Sequence, residues 1–166
     1  MWFLEYLFYK LKPKEKRLKP HYIIEGLRPY CTLFGSRLWG GATNKSDVDL
    51  LASTTYLNSI KNVLEDCNIS YKTHTAQYNF EIVQLDFIYD GLLYSISLSD
   101  YEEHIAQKQA IQLTTCFFEK HPENVNRKWY RKEVFEAMLL VVYKNASKLP
   151  KEIEIFFQEE FPELLV

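Results

Sequence analysis

The segment from Gly35 to Leu50, GSRLWGGATNKSDVDL, constrains the fold more than any other part of the chain. Its last four residues alternate between acidic and apolar side chains, which predicts a β-strand with one polar and one buried face. Asp47 and Asp49 therefore project to the same side of the strand. Earlier in the segment, Gly35 allows a close backbone approach, and Ser36 follows where a helix can begin.

The chemistry of this segment points to one kind of ligand. Two neighbouring carboxylates repel each other, and a hard divalent cation that also binds phosphate oxygens is a natural counter-charge. The unpaired N–H groups at a helix start favour phosphate oxygens as well. The segment therefore predicts a site for a nucleoside triphosphate and Mg²⁺.

The same residues resemble the signature of a known superfamily. The polymerase-β-like nucleotidyltransferases, in particular their small "minimal" members, carry Gly-Ser, a helix turn with a Gly, and then Ser-Asp-x-Asp-Leu. Leu38 and Trp39 depart from the small and basic residues of many minimal members. The positions that match are Gly35, Ser36, Gly40 or Gly41, Ser46, Asp47, Asp49 and Leu50.

The resemblance implies a third carboxylate on a later strand. The run 80–90, FEIVQLDFIYD, alternates between apolar and polar residues and supplies one at Asp86. Asp90 shares the parity of Asp86 but precedes Gly91, which is typical of a turn. Because Glu81 has the opposite parity, Asp86 is the predicted third carboxylate.

By resemblance, Asp47, Asp49 and Asp86 are the catalytic residues and bind two Mg²⁺ ions. Gly35 and Ser36 then bind the β- and γ-phosphates of a nucleoside triphosphate such as ATP. Arg37 either adds a contact to the phosphates or points to solvent. An aromatic side chain, Tyr89 or one from the helical half, is a candidate to stack on the base.

The acceptor of the transferred group is open at this stage. A basic stretch at residues 10–19, KLKPKEKRLK, is either a phosphate-binding surface for RNA or a solvated linker. We expect transfer to RNA, tRNA included. The alternatives are nucleotidylation (AMPylation) of a partner protein in a toxin–antitoxin pair and an inert module that binds nucleotide or a partner. The basic side chains of the stretch are Lys10, Lys12, Lys14, Lys16, Arg17 and Lys19.

Composition predicts a globular, cytoplasmic protein without a membrane span. Hydrophobic residues make up 47% of the 166 residues, enough for a real core. The start of the chain is apolar but contains Glu5, and its stripe from Trp2 to Leu11 favours a helix packed on the core over a membrane anchor. Cys31, Cys67 and Cys116 are widely spaced, which is typical of small buried hydrophobes in a reducing compartment.

The order of elements predicts an α+β fold: a mixed β-sheet core with helices packed on it, then a helical C-terminal part. Residues 1–98 would form the nucleotidyltransferase core with the N-terminal helix, and residues 99–166 the helical part. Periodicity predicts strands at 30–34, 47–52, 69–78, 80–89 and 92–98. It predicts helices at 54–68, from the capping-box pattern Ser99-Asp100-Tyr101-Glu102 to about 120, from an Asn126 cap to about 145, and from Pro150 onward.

Overall fold

The computed structural model describes residues 24–77 and 81–165. They form two compact units, one that runs to Ile105 and one that begins at Ala106. The predicted N-terminal helix and the basic stretch at residues 10–19 lie outside the described residues, as do Tyr78 and Phe80. Within the described ranges, no helix has the length and apolar character needed to cross a membrane.

The first unit contains a five-stranded mixed sheet. Its strands are β1 (Thr32–Phe34), β2 (Val48–Ser53), β3 (Tyr71–Gln77), β4 (Glu81–Tyr89) and β5 (Leu92–Ser99). They lie in the order β1-β2-β5-β4-β3. Strands β2 and β5 run parallel, and the other neighbouring strands run antiparallel.

The described residues contain five α-helices, and the last two belong to the second unit. They are α1 (Ser36–Trp39), α2 (Leu57–Asp66), α3 (Tyr101–Lys120), α4 (Lys128–Val142) and α5 (Lys151–Glu160). Helix α3 begins in the first unit and continues into the second. A mixed sheet followed by helices confirms the predicted α+β class.

One face of the sheet is apolar and forms the core of the first unit. The alternation along each strand sends every second side chain to this face, where helix α2 contributes Ile60 and Leu64. The buried cluster consists of Leu27, Leu33, Val48, Leu50, Ala52, Ile60, Leu64, Leu85, Phe87, Tyr94, Ile96 and Leu98. The residues between them on the strands project from the opposite face.

Strands β4 and β5 are joined by a two-residue turn. Tyr89 pairs with Leu92, so only Asp90 and Gly91 form the connection. Both have positive φ, 52° and 76°, as a type I′ hairpin turn requires. The prediction that Asp90 is a turn residue is therefore confirmed, and the turn fixes which residues of β4 and β5 face each other.

Three local predictions are wrong. Asn126 does not cap α4, because the helix begins at Lys128 and no side chain caps it. Ser99 does not cap α3, because it is the last residue of β5. Asp100 takes this role, since the N–H of Glu103 donates to Asp100 Oδ1 at 2.9 Å. The predicted burial of Cys67 is also wrong, because this residue lies just beyond the end of α2, where its side chain is exposed.

We expect Leu50→Ala to lower the free energy of unfolding by about 2–5 kcal/mol, because it leaves a cavity in a packed core. Leu50 is fully buried on β2, opposite Leu33 and Ile96. Leu140→Ala is the matched control, since Leu140 is 37% exposed on α4 and its truncation should cost about 0.5 kcal/mol or less. Equal losses in urea denaturation would contradict this description of the core.

Candidate functional site

Gly35 and Asp49 meet where β1 ends and α1 begins. Strand pairing places Phe34 opposite Asp49, and Gly35 follows Phe34 as the residue before α1, with φ of 78°. A Cβ atom added at Gly35 would lie 2.5 Å from Asp49 Oδ2 and 3.3 Å from its Cγ. Both the backbone angle and the space therefore require glycine here. The sheet thus places the Gly-Ser turn beside the second carboxylate of the Asp-x-Asp pair.

The loop before β2 is held by Arg37. Its Nη2 donates to the Ser46 carbonyl oxygen at 2.6 Å and its Nε donates to the same oxygen at 3.1 Å. The Thr43 N–H in turn donates to Ser46 Oγ at 2.8 Å. Asp47 follows this loop and is exposed, one residue before β2 begins at Val48. Arg37 thereby ties α1 to the backbone that leads into Asp47.

A polar row crosses the sheet on the face opposite the core. Ser95 of β5 lies directly opposite Asp49 on β2 and Asp86 on β4, and Asp86 lies opposite Lys72 on β3. Residues directly opposite each other share a face, so Asp49 and Asp86 project to the same side. Strand β5 lies between them, which separates their Cα atoms by roughly 10 Å, two strand spacings.

Ser95 connects this row by hydrogen bonds. Its Oγ donates to Asp86 Oδ1 at 2.5 Å and accepts from Gln84 Nε2 at 3.1 Å. The alternation in the run 92–99, LLYSISLS, places Ser95 on the polar face, but nothing in the sequence alone pairs it with Asp86. That run sends Tyr94 and Ile96 to the core and the serine between them to the polar face.

Tyr89 lies on the other face of the sheet. Side chains alternate along β4, so Tyr89 projects opposite to Asp86, and its ring lies edge-on to Tyr94 at 6.2 Å. Tyr94 stacks on Phe87 at 4.9 Å. Burial raises the pKa of the Tyr94 hydroxyl, and the charge of Arg37 acts in the opposite direction. Tyr89 is 42% exposed on this face, so it is not placed to stack on a base beside Asp86.

One or two carboxylates can hold a Mg²⁺ ion when a bound triphosphate supplies further oxygen ligands. No group of three His, Cys, Asp or Glu side chains in the described ranges is arranged as a complete metal site. Mg²⁺ is usually bound through one or two carboxylates together with substrate phosphates, and it does not require an all-protein cage. Asp47 is exposed and Asp49 is partly exposed, so neither carboxylate is shut off from solvent.

No family model and no curated protein matches the sequence. Solved structures do match, among them a GLD-2/RNP-8 complex with a TM-score of 0.45 and 15% identity. A cytoplasmic RNA terminal U-transferase has a TM-score of 0.36 and 16% identity. The non-canonical poly(A) polymerase complex GLD-2–GLD-3 has a TM-score of 0.40 and 14% identity.

The chain is shorter than the proteins it matches. The alignments cover 96% of this chain and 70% of the matching chain in the GLD-2/RNP-8 complex. They cover 74% of this chain and 46% of the U-transferase, and 98% of this chain and 63% of the chain in the GLD-2–GLD-3 complex. At these identities and TM-scores the matches assign no activity to the chain.

We expect Gly35→Ala to lower the free energy of unfolding more than Gly91→Ala. Both glycines have positive φ, 78° and 76°, and Gly35 combines it with a ψ of −156°, a conformation that is nearly confined to glycine, so each substitution should cost about 1–3 kcal/mol through the backbone alone. Only Gly35 has the Asp49 carboxylate within reach of a new Cβ, whereas nothing lies within 4 Å at Gly91.

Urea denaturation of both variants measures this difference. Adding Asp49→Ala to Gly35→Ala should recover stability, because it removes the carboxylate that the new methyl group meets. Equal losses for the two glycine variants would show that Gly35 and Asp49 do not approach each other as described.

Proposed function

We propose that the protein is a Mg²⁺-dependent nucleotidyltransferase that transfers a nucleoside monophosphate from a nucleoside triphosphate, such as ATP, to a hydroxyl group of RNA. The observation that carries the proposal is the approach of Gly35 to Asp49. It joins a turn suited to phosphate groups with a carboxylate suited to a divalent cation. The resemblance of the segment 35–50 to the nucleotidyltransferase signature supports the same assignment.

The triphosphate end of the site consists of the turn and the first residues of α1. Gly35 exposes its backbone to the ligand, and the Ser36 hydroxyl and N–H donate to the β- and γ-phosphate oxygens. Arg37 already donates to two backbone carbonyls, of Ser46 and Thr43. Its positive charge near the phosphates adds to the attraction while its hydrogen bonds hold the loop before Asp47.

The cation end of the site consists of carboxylates. Asp47 and Asp49 would hold Mg²⁺, and Asp86 would complete the set from β4, across β5. When bound, Mg²⁺ neutralises charge that develops on the triphosphate during an in-line displacement. In this displacement the acceptor oxygen forms a bond to the α-phosphorus, the bond to the bridging oxygen breaks, and pyrophosphate leaves. Asp86 orients the acceptor hydroxyl and takes its proton, which then passes to water.

We expect Asp49→Asn to abolish nucleotidyl transfer while the fold survives. The amide keeps the shape of the side chain but lacks the negative charge that binds the cation. Asp66→Asn is the matched control, because Asp66 is an exposed carboxylate at the end of α2 and should be dispensable. Stability in metal-free buffer should hold or rise, since repulsion from Asp47 is relieved.

The assay uses nucleoside triphosphates labelled at the α-phosphate, Mg²⁺, and either total RNA or a cell lysate. Label on RNA supports the proposal, and label on protein assigns protein nucleotidylation instead. No label with any of the four nucleotides would indicate an inert binding module. Transfer by Asp49→Asn at the wild-type rate would contradict the site.

The choice of RNA as acceptor rests on the basic stretch at residues 10–19. If these side chains bind phosphates, RNA affinity should fall with salt, with a log–log slope near −0.7 for each contact to a single strand. We expect a variant with the combined substitutions Lys12→Ser, Lys14→Ser, Lys16→Ser and Arg17→Ser to flatten this slope and raise KM for RNA. Its KM for the triphosphate should stay the same, because the Gly35 turn and the carboxylates bind that substrate.

Fluorescence anisotropy of a labelled RNA oligonucleotide over a range of salt concentrations measures the slope. The matched control also replaces four lysines by serine, one on α3, two on α4 and one in the turn after α4. Its substitutions are Lys108→Ser, Lys128→Ser, Lys132→Ser and Lys144→Ser. Unchanged RNA affinity in the first variant would remove the support for an RNA acceptor while leaving the cation site intact.

A further inference from the structure

Ser95 occupies the sheet position between Asp49 and Asp86. It is the register partner of both, on β2 and on β4. Directly opposite side chains lie about 5 Å apart at Cβ, whereas two strand spacings separate Asp49 from Asp86. A carboxylate on β4 can therefore serve a cation at Asp49 only if it points across β5.

The hydrogen bonds of Ser95 set this direction. Gln84 Nε2 donates to Ser95 Oγ at 3.1 Å, and Ser95 Oγ donates to Asp86 Oδ1 at 2.5 Å. Because the amide of Gln84 occupies one lone pair of the hydroxyl, the hydroxyl proton is directed at Asp86. A hydrogen bond to an ionised carboxylate is about twice as strong as one between neutral groups.

Lys72 offers Asp86 a competing partner on the other side. It lies directly opposite Asp86 on β3, and its side chain is exposed. Opposite charges across neighbouring strands attract each other. Without the Ser95 hydroxyl, the Asp86 carboxylate would turn towards the Lys72 ammonium group, and so away from Asp49.

We propose that Ser95 is a positioning residue, whose hydroxyl holds the Asp86 carboxylate over β5 and towards Asp49. This inference rests on the proposed function, in which Asp49 and Asp86 serve the same cation site. Residues that orient metal-binding side chains typically change metal affinity by roughly 10–100-fold when they are removed.

The test measures Mn²⁺ affinity of the full chain by electron paramagnetic resonance of unbound Mn²⁺, at a fixed, saturating concentration of a non-hydrolysable nucleoside triphosphate analogue, with Mn²⁺ and the analogue alone as the baseline. Ser95→Ala should weaken Mn²⁺ binding roughly 10–100-fold. Ser95→Thr keeps the hydroxyl and suits a strand, so it should bind Mn²⁺ nearly as the wild type does. Ser97→Ala is the matched control, since Ser97 lies two residues further along β5 on the same face, and it should leave the affinity unchanged.

A second pair of variants tests the competition with Lys72. Lys72→Met alone should change Mn²⁺ affinity little, but in the Ser95→Ala background it should restore part of the loss, because it removes the partner to which Asp86 turns. Circular dichroism confirms that each variant is folded. If Ser95→Ala proves unfolded, Ser95→Cys, which keeps a small side chain without a strong donor, takes its place with the same expected loss.

The outcomes separate the two proposals. Wild-type Mn²⁺ affinity in Ser95→Ala, together with weak binding in Asp49→Asn and Asp86→Asn, would overturn the role of Ser95 and leave the proposed function standing. Equal weakening by Ser95→Ala and Ser95→Thr would also overturn that role, because it would indicate general damage to the strand. Unchanged affinity in Asp49→Asn would overturn the cation site itself, and the positioning role with it.

Discussion

The site and the core of the first unit both depend on the place of β5. This strand pairs in parallel with β2 and antiparallel with β4, so it fixes the register of both at once. On one face this register brings Tyr94 and Ile96 into the buried cluster. On the other face it aligns Asp49, Ser95 and Asp86. Since successive side chains point to opposite faces, the packing of the core and the alignment of the polar row are a single constraint.

Much of the fold can be predicted from local patterns. The alternation in 80–89 predicts β4, and the helical spacing from Leu57 to Leu64 predicts α2, because each pattern reports which face is buried. The polar residue that caps a helix is harder to predict. Asn126 and Ser99 both have suitable side chains, but the first lies one residue before the cap position of α4 and the second remains in a strand. Several neighbouring residues can have side chains suited to capping a helix. The one that becomes the cap is decided by where the backbone turns into the helix, which local patterns do not specify.

The candidate site could be predicted in part for the same reason. The parity of Asp49 and Asp86 follows from alternation within each strand, and the register places both on one face. Which strand lies between them does not follow from the sequence, because β5 comes last of the three strands and inserts between the other two. Ser95 therefore becomes visible only once the strand order is known. The loop contacts of Arg37 depend in the same way on a turn that local patterns do not specify.

The two-residue turn at Asp90 and Gly91 limits how this protein can change over time. A longer hairpin loop needs a different backbone, such as a type I turn followed by a residue with positive φ. If an inserted residue shifted β5 by one position instead of lengthening the turn, Ser95 would enter the core and Tyr94 would face the polar row. Sequences that descend from this one can therefore vary the turn only in ways that keep the pairing register of β5.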